Sequence, residues 1–196
     1  MSLDIDETFA EAYRPDEDQA RDARYPIGRA PTLAPGERMQ PQDRNNAIDT
    51  LARFPELLRN AVQGLSTDQN DTPYRDGGWT VRQLVHHIAD SHSIAVFRFR
   101  LALTENWPTI SGYPEAEFAK LHDYLAAPVE WSLEMIEASH ARWVMLLQSL
   151  TDEQWKRGYV HPERGRSSLE GVLLLYQWHA QHHLAHITHL RADRGW

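Results

Sequence analysis

A chain of 196 residues, 41% of them hydrophobic, can bury one substantial core, and its formal net charge of −8 opposes binding to a phosphate backbone. It contains no cysteine, which excludes disulfides, thiolate metal ligands and a sulfur nucleophile of its own, so any thiol in its chemistry has to arrive with the substrate. There is no apolar run of roughly eighteen residues and no basic leader, so a cytoplasmic protein is expected, with neither nucleic acid nor a membrane as partner.

Residues 1–42 are rich in acids and prolines and have no sustained apolar period, so they read as an acidic, Pro-rich N-terminal arm that Tyr25-Pro26-Ile27 could anchor. Residues 43–196 then form the folded domain. From about Arg44 to Leu65, Ile48, Leu51, Phe54, Leu58, Val62 and Leu65 keep helical spacing, and Pro55 is expected to kink or restart this first helix. The stretch Asp76 to Gln83 reads as a turn followed by a capping box, Thr80 with Gln83, which starts a second helix near Val81. It should run to about Thr104, since Trp107-Pro108 prevents continuation.

A third helix is predicted from about Pro128 to Leu150, with Leu133, Ile136, His140, Trp143, Val144 and Leu147 on one face. Gly158, Pro162 and Gly165 predict a loop or small hairpin. Ser167-Ser168-Leu169-Glu170 reads as another capping box, opening a fourth helix that reaches about Arg191. Four long amphipathic helices imply an all-α four-helix bundle, with any cofactor site between facing helices.

The fourth helix concentrates histidine: His179, His182, His183 and His186 fall within eight residues. Side chains four apart stack on one side of a helix, so His179 with His183, or His182 with His186, can aim at one point. Imidazole suits zinc, nickel, copper and iron(II). At about 100° per residue, His183 lies beside the apolar centre of this helix and His179 on its flank. His182 and His189 point away, toward solvent or an interface, and His186 is intermediate. His179 and His183 are therefore the favoured pair. On the second helix, His92 sits nearer the main apolar face than His87. A second apolar strip of Ile94, Phe97 and Leu101 lies on the His87 side, so spacing alone leaves either histidine able to reach the bundle interior. His140 also points inward, where a lone histidine is more often a hydrogen-bonded core residue than a ligand.

The segments Pro73 to Gln83, HHIADSH from His86 to His92 and WHAQHHLAHI from Trp178 to Ile187 resemble the YfiT-like branch of the DinB superfamily, and the resemblance runs from about Tyr25 to the C-terminus. It implies a four-helix bundle with a divalent metal, zinc or nickel, on three histidines, one from the second helix and two from the fourth, with open positions left for solvent or substrate. Carried over by motif, the ligands are His87, His179 and His183. It also implies a homodimer. The branch is named for metal-dependent hydrolysis, while relatives in the superfamily are linked to S-transfer with low-molecular-weight thiols such as bacillithiol.

Three neutral imidazoles leave a divalent ion its full charge, so that a bound water can approach a pKa of about 7. The expected function is thus a metal-dependent enzyme of hydrolase type acting on a small-molecule substrate. The same position could instead hold a substrate thiol as thiolate, giving a thiol S-transferase. Asp90, three residues after His87, is the candidate general base, with an orienting partner for an imidazole or a surface salt bridge as its other readings. Arg98, Arg100, Arg142 and Tyr124 are candidates for holding an anionic cosubstrate, and Trp79, Trp107, Trp143 and Trp178 read as core or rim aromatics. The absence of HExxH gives no support to a zincin protease. A non-catalytic, metal-stabilised bundle would differ in a saturated ion, with His92 or His140 as a fourth ligand.

Overall fold

The computed structural model describes residues 22–34 and 36–196. The first part of the acidic arm, on which part of the extended-arm expectation falls, lies outside the described residues. Helix α1 spans Pro41–Val62, followed by the short α2 Thr67–Asn70 and the long α3 Val81–Thr104. Two short helices, α4 Glu115–Phe118 and α5 His122–Ala126, lead into α6 Val129–Gln148. After α7 Asp152–Trp155, strands β1 Gly158–His161 and β2 Gly165–Ser168 form an antiparallel hairpin that delivers the chain into α8 Leu169–Arg194. The long helices α1, α3, α6 and α8 are the four-helix bundle: α1 packs on α8 and α6, and α3 on α6 and α8. Phe54, Leu51, Phe99, Ile88, Trp143, Leu147, Leu173 and Ile187 fill the centre. Among the described residues no helix is long and apolar enough to cross a membrane.

The capping box at Thr80 is present in both directions, with Thr80 Oγ1 accepting from the Gln83 amide and the Gln83 side chain accepting from Thr80 N. Two local expectations are corrected. Pro41 opens α1, where a missing N–H costs nothing, and α1 does not restart at Pro55 but runs on through it to Val62. Proline removes the donor for the carbonyl four residues earlier, and that carbonyl, of Leu51, accepts from His140 Nδ1 at 2.7 Å instead. At α8 the cap is Ser168, which accepts from Gly171 N at 3.1 Å, and Glu170 takes no part in a capping box.

Glu170 is instead fully buried and bound by Arg38 Nε at 2.6 Å, Arg44 Nη1 at 2.8 Å and the Met39 amide at 3.2 Å. The residues just before α1 are thereby tied to the start of α8. Further along, Trp178 Nε1 donates to Gly28 O at 3.3 Å and the Tyr25 ring lies 6.3 Å from that of His182. The described part of the arm thus lies against α8. Glu170→Ala would remove the buried acceptor that Arg38 and Arg44 share, but Arg44 keeps its bond to Asp152 and the Arg38 side chain is 37% exposed, so the cost should fall to about 1.5–3 kcal/mol, below that of a fully buried pair. Urea unfolding at neutral pH is expected to show a loss of that order, and a loss below about 1 kcal/mol would mean that the arginines rehydrate freely.

Candidate metal centre

Helix α3 contributes His87, and α8 contributes His179 and His183 one turn apart. His87 Nε2 and His179 Nε2 face each other at 3.2 Å, and the His183 ring centroid is 5.0 Å from that of His87 and 4.4 Å from that of His179. One ring nitrogen from each of the three lies within 4.8 Å of the others. Two imidazole nitrogens on one tetrahedral zinc, each about 2.0–2.1 Å from it, stand about 3.4 Å apart. The observed pair fits that spacing without rearrangement.

Burial pushes His87 down to about 4, with repulsion from His182 adding to it. It pushes His179 and His183 well below the ordinary histidine value too, each helped by neighbouring imidazoles. All three are therefore neutral at neutral pH, the protonation state that offers a lone pair to a metal. His87 is covered by the Trp79 ring at 4.7 Å and by α8; of the second apolar strip on its side of the helix, Ile94 and Leu101 are half-buried while Phe97 is 60% exposed. His179 keeps partial exposure, so the ligand set is not sealed from solvent.

The remaining histidines of the two clusters are sorted by their contacts. His86 Nε2 donates to Ala127 O at 3.2 Å and its Nδ1 accepts from Ser132 Oγ at 2.7 Å, a tie between α3 and the α6 region that uses both nitrogens. His92 and His140 stand behind His179, on its Nδ1 side: His92 Nε2 is 3.1 Å from His179 Nδ1, and His92 Nδ1 is 2.8 Å from His140 Nε2. His182, expected at solvent or an interface, is buried, stacked on Trp178 with ring centroids 4.2 Å apart. Helix periodicity could not reveal this because the arm segment around Tyr25 supplies the cover. His186 is buried against the Tyr74 ring at 4.0 Å, with its Nδ1 3.3 Å from His183 Nδ1.

His182, His183 and His186 consequently make a second group of three within metal-binding distance. It shares His183 with the first. A neutral imidazole has one lone pair, so His183 can serve only one of the two groups at a time. A hydrogen bond from His183 Nδ1 to His186 Nδ1 would leave Nε2 as the free lone pair of His183.

Asp90 accepts from Tyr124 Oη at 2.6 Å. Burial, and then this bond, raises the Tyr124 pKa, so the hydroxyl stays protonated and donating. Among the described residues the carboxylate makes no hydrogen bond to a ligating imidazole. Of the candidate anion-binding arginines, Arg98 is buried and donates from Nη2 to Ser111 O at 2.5 Å, whereas Arg142 is exposed. Trp143 is wholly buried in the core, and Trp79 and Trp178 flank the histidine clusters. Tyr74 and Leu51 carry no sequence signal for the site, since their roles arise from contacts between elements distant in sequence.

Fold and donor set together define a class: a four-helix bundle with a three-histidine site suited to a divalent metal ion. Comparison with known proteins narrows it, because the profile of the DinB superfamily matches residues 50–187. The chain belongs to the DinB superfamily. It is 45% identical over 173 residues, 88% of this chain and 96% of the relative, to YfiT of Bacillus subtilis, whose name marks it provisionally as a metal-dependent hydrolase. A relative from Oceanobacillus iheyensis with the same provisional designation is 47% identical over 152 residues, 78% of this chain and 88% of its own length. The solved structure of Bacillus subtilis YfiT, described as having an unusual four-helix bundle topology, superposes with a TM-score of 0.84 at 44% identity, covering 89% of this chain and 98% of that one. A second four-helix bundle protein, TT2238, has a TM-score of 0.50 at 18% identity over 78% of this chain and 99% of its own, a likeness of fold alone.

Proposed function

We propose that this chain is a metal-dependent hydrolase that holds one divalent ion, zinc or nickel, on His87, His179 and His183 and acts on a small-molecule substrate. The observation that carries the reading is the convergence of three neutral imidazoles, His87 and His183 buried and His179 partly exposed, from α3 and α8 at metal-ligand spacing. When bound, the ion supplies Lewis-acid activation of water at neutral pH. The chain's own part is to keep the three rings deprotonated by burial and to leave the His179 side open. Asp90 is proposed as the general base, with Tyr124 orienting its carboxylate through the 2.6 Å bond. A nitrogen-only ligand set suits zinc and nickel alike. A homodimer belongs to the same reading, supported by the exposed Trp131, Met135 and Met145 on α6.

The test is elemental analysis of untagged protein purified without added metal, followed by assays of the zinc- and nickel-loaded forms on ester and amide substrates. Parallel assays offer a low-molecular-weight thiol with an electrophile. About one ion per chain, with hydrolysis that chelation removes and zinc or nickel restores, is the expected result. Thiol conjugation without hydrolysis would replace the hydrolase with an S-transferase on the same ligands. Protein that is metal-free and takes up neither ion overturns the site.

A further inference from the structure

The side of His179 that faces away from the ligand cluster ends in a chain of three imidazoles and a backbone carbonyl. The carbonyl is that of Leu51, which Pro55 deprives of its helical donor. His140 Nδ1 lies 2.7 Å from it. A carbonyl oxygen can only accept, so the proton of His140 is on Nδ1 and its lone pair on Nε2. His92 Nδ1, 2.8 Å from that lone pair, must then donate, which leaves the lone pair of His92 on Nε2. His179 Nδ1, 3.1 Å from His92 Nε2, must donate in turn. The lone pair of His179 is thereby left on Nε2, the atom that faces His87 Nε2 at 3.2 Å. We propose that the Leu51 carbonyl, acting through the positioning residues His140 and His92, fixes the tautomer of His179 so that Nε2 is the nitrogen offered to the metal. This rests on the metal-centre reading given above.

The surroundings hold the rings in the orientation that the chain requires. The His92 and His140 rings lie nearly in one plane, 15° apart with centroids 4.9 Å apart, as an in-plane bond between their nitrogens requires, and Phe54 stacks on His92 at 5.5 Å. The Trp143 ring meets both edge-on, at 6.1 Å from His92 and 5.8 Å from His140. Burial lowers the pKa of both imidazoles, His140 to about 4, consistent with a chain of neutral rings. The far end of the chain also separates two roles. A peptide carbonyl is no proton acceptor in the acid-base sense, so the chain sets a tautomer and does not export protons. His87 has no equivalent support, since its Nδ1 is buried without a hydrogen-bond partner. The ordering therefore acts on one ligand of the three.

Long-range proton–nitrogen NMR of the metal-free protein reads each histidine's tautomer directly, and zinc affinity is read separately by competition with a chromophoric chelator. In the wild type, His140, His92 and His179 are expected to carry their protons on Nδ1. His140→Phe keeps the aromatic volume but removes the acceptor for His92, and it is expected to move His179 out of the Nδ1–H tautomer and to weaken zinc binding about 10–100-fold, the range seen when an outer partner of a ligating histidine is lost. His140→Gln, whose amide can donate to Leu51 and accept from His92, is expected to restore both readings. His179 found with its proton on Nε2 in the metal-free wild type overturns the proposal without recourse to any variant. So does His140→Phe that is folded and leaves tautomer and affinity unchanged. Wild-type protein with the expected tautomers that binds no zinc upholds the chain and refutes the metal-centre reading, so the two fail separately.

Discussion

Replacing His183 by alanine is expected to abolish stoichiometric binding of a divalent ion and to reduce hydrolysis to background, while His186→Ala retains about one ion per chain. His183 belongs to both possible groups of three, His87 with His179 and His182 with His186, so its loss leaves neither with three imidazoles. His186 belongs only to the second. The loss in affinity for His183→Ala should exceed the 10–100-fold typical of removing an outer partner, because a direct ligand is lost. Elemental analysis after desalting, on His87→Ala, His183→Ala and His186→Ala side by side, reads the difference. Metal retained by His87→Ala and lost by His186→Ala would move the centre to the lower group.

The metal-free protein is expected to lose its stability steeply as pH falls from about 6.5 to about 4. His87 and His140 are pushed by burial from 6.5 down to about 4, His182 likewise, and His186, also repelled by His182, to about 3. His92, His179 and His183 lie well below the ordinary value for the same first cause. A folded-state pKa below the unfolded one means that the unfolded chain binds protons first on acidification. The stabilising contribution is then complete above the unfolded value and disappears as pH falls toward the folded values. Each tenfold loss of proton affinity on folding corresponds to about 1.4 kcal/mol, so the wholly buried His140 alone is worth on the order of 3 kcal/mol. Several such rings together rival a typical total stability of about 5–15 kcal/mol. Glu170 acts in the same direction at lower pH: burial raises its pKa, but the bonds from Arg38, Arg44 and the Met39 amide outweigh this and hold it below 4.5. Thermal melts of the metal-free protein followed by helical circular dichroism across this window check the expectation. A melting temperature flat from pH 7 to 4 would show that the imidazoles take up protons without unfolding the bundle.

The chain's local chemistry and its inter-helix chemistry were legible to different degrees. The spacing of His179 and His183 is a property of one helix, as is the cap at Thr80 and Gln83, and both follow from a 3.6-residue period and from orphan amides at a helix start. The four long helices and the hairpin between the last two could be read in the same way. The choice between His87 and His92 could not be read from periodicity, because both are buried on α3 and differ only in what faces them: Trp79 and the α8 ligands in one case, His140 and the Nδ1 side of His179 in the other. The resemblance of the HHIADSH segment, not its spacing, singled out His87.

By itself, then, the sequence determined the helices, their order and the histidine-rich faces, since these depend on interactions within a few residues. Only the tertiary structure decided that His182 lies under the Tyr25 segment and that Glu170 binds Arg38 and Arg44 in place of a cap. Pro55 shows the limit most clearly. Its local effect, a lost donor, was readable as a weakness in α1, but the partner that takes up the freed carbonyl comes from α6, 89 residues along the chain. Pairing across that separation is set by how the helices pack, and no local period encodes it.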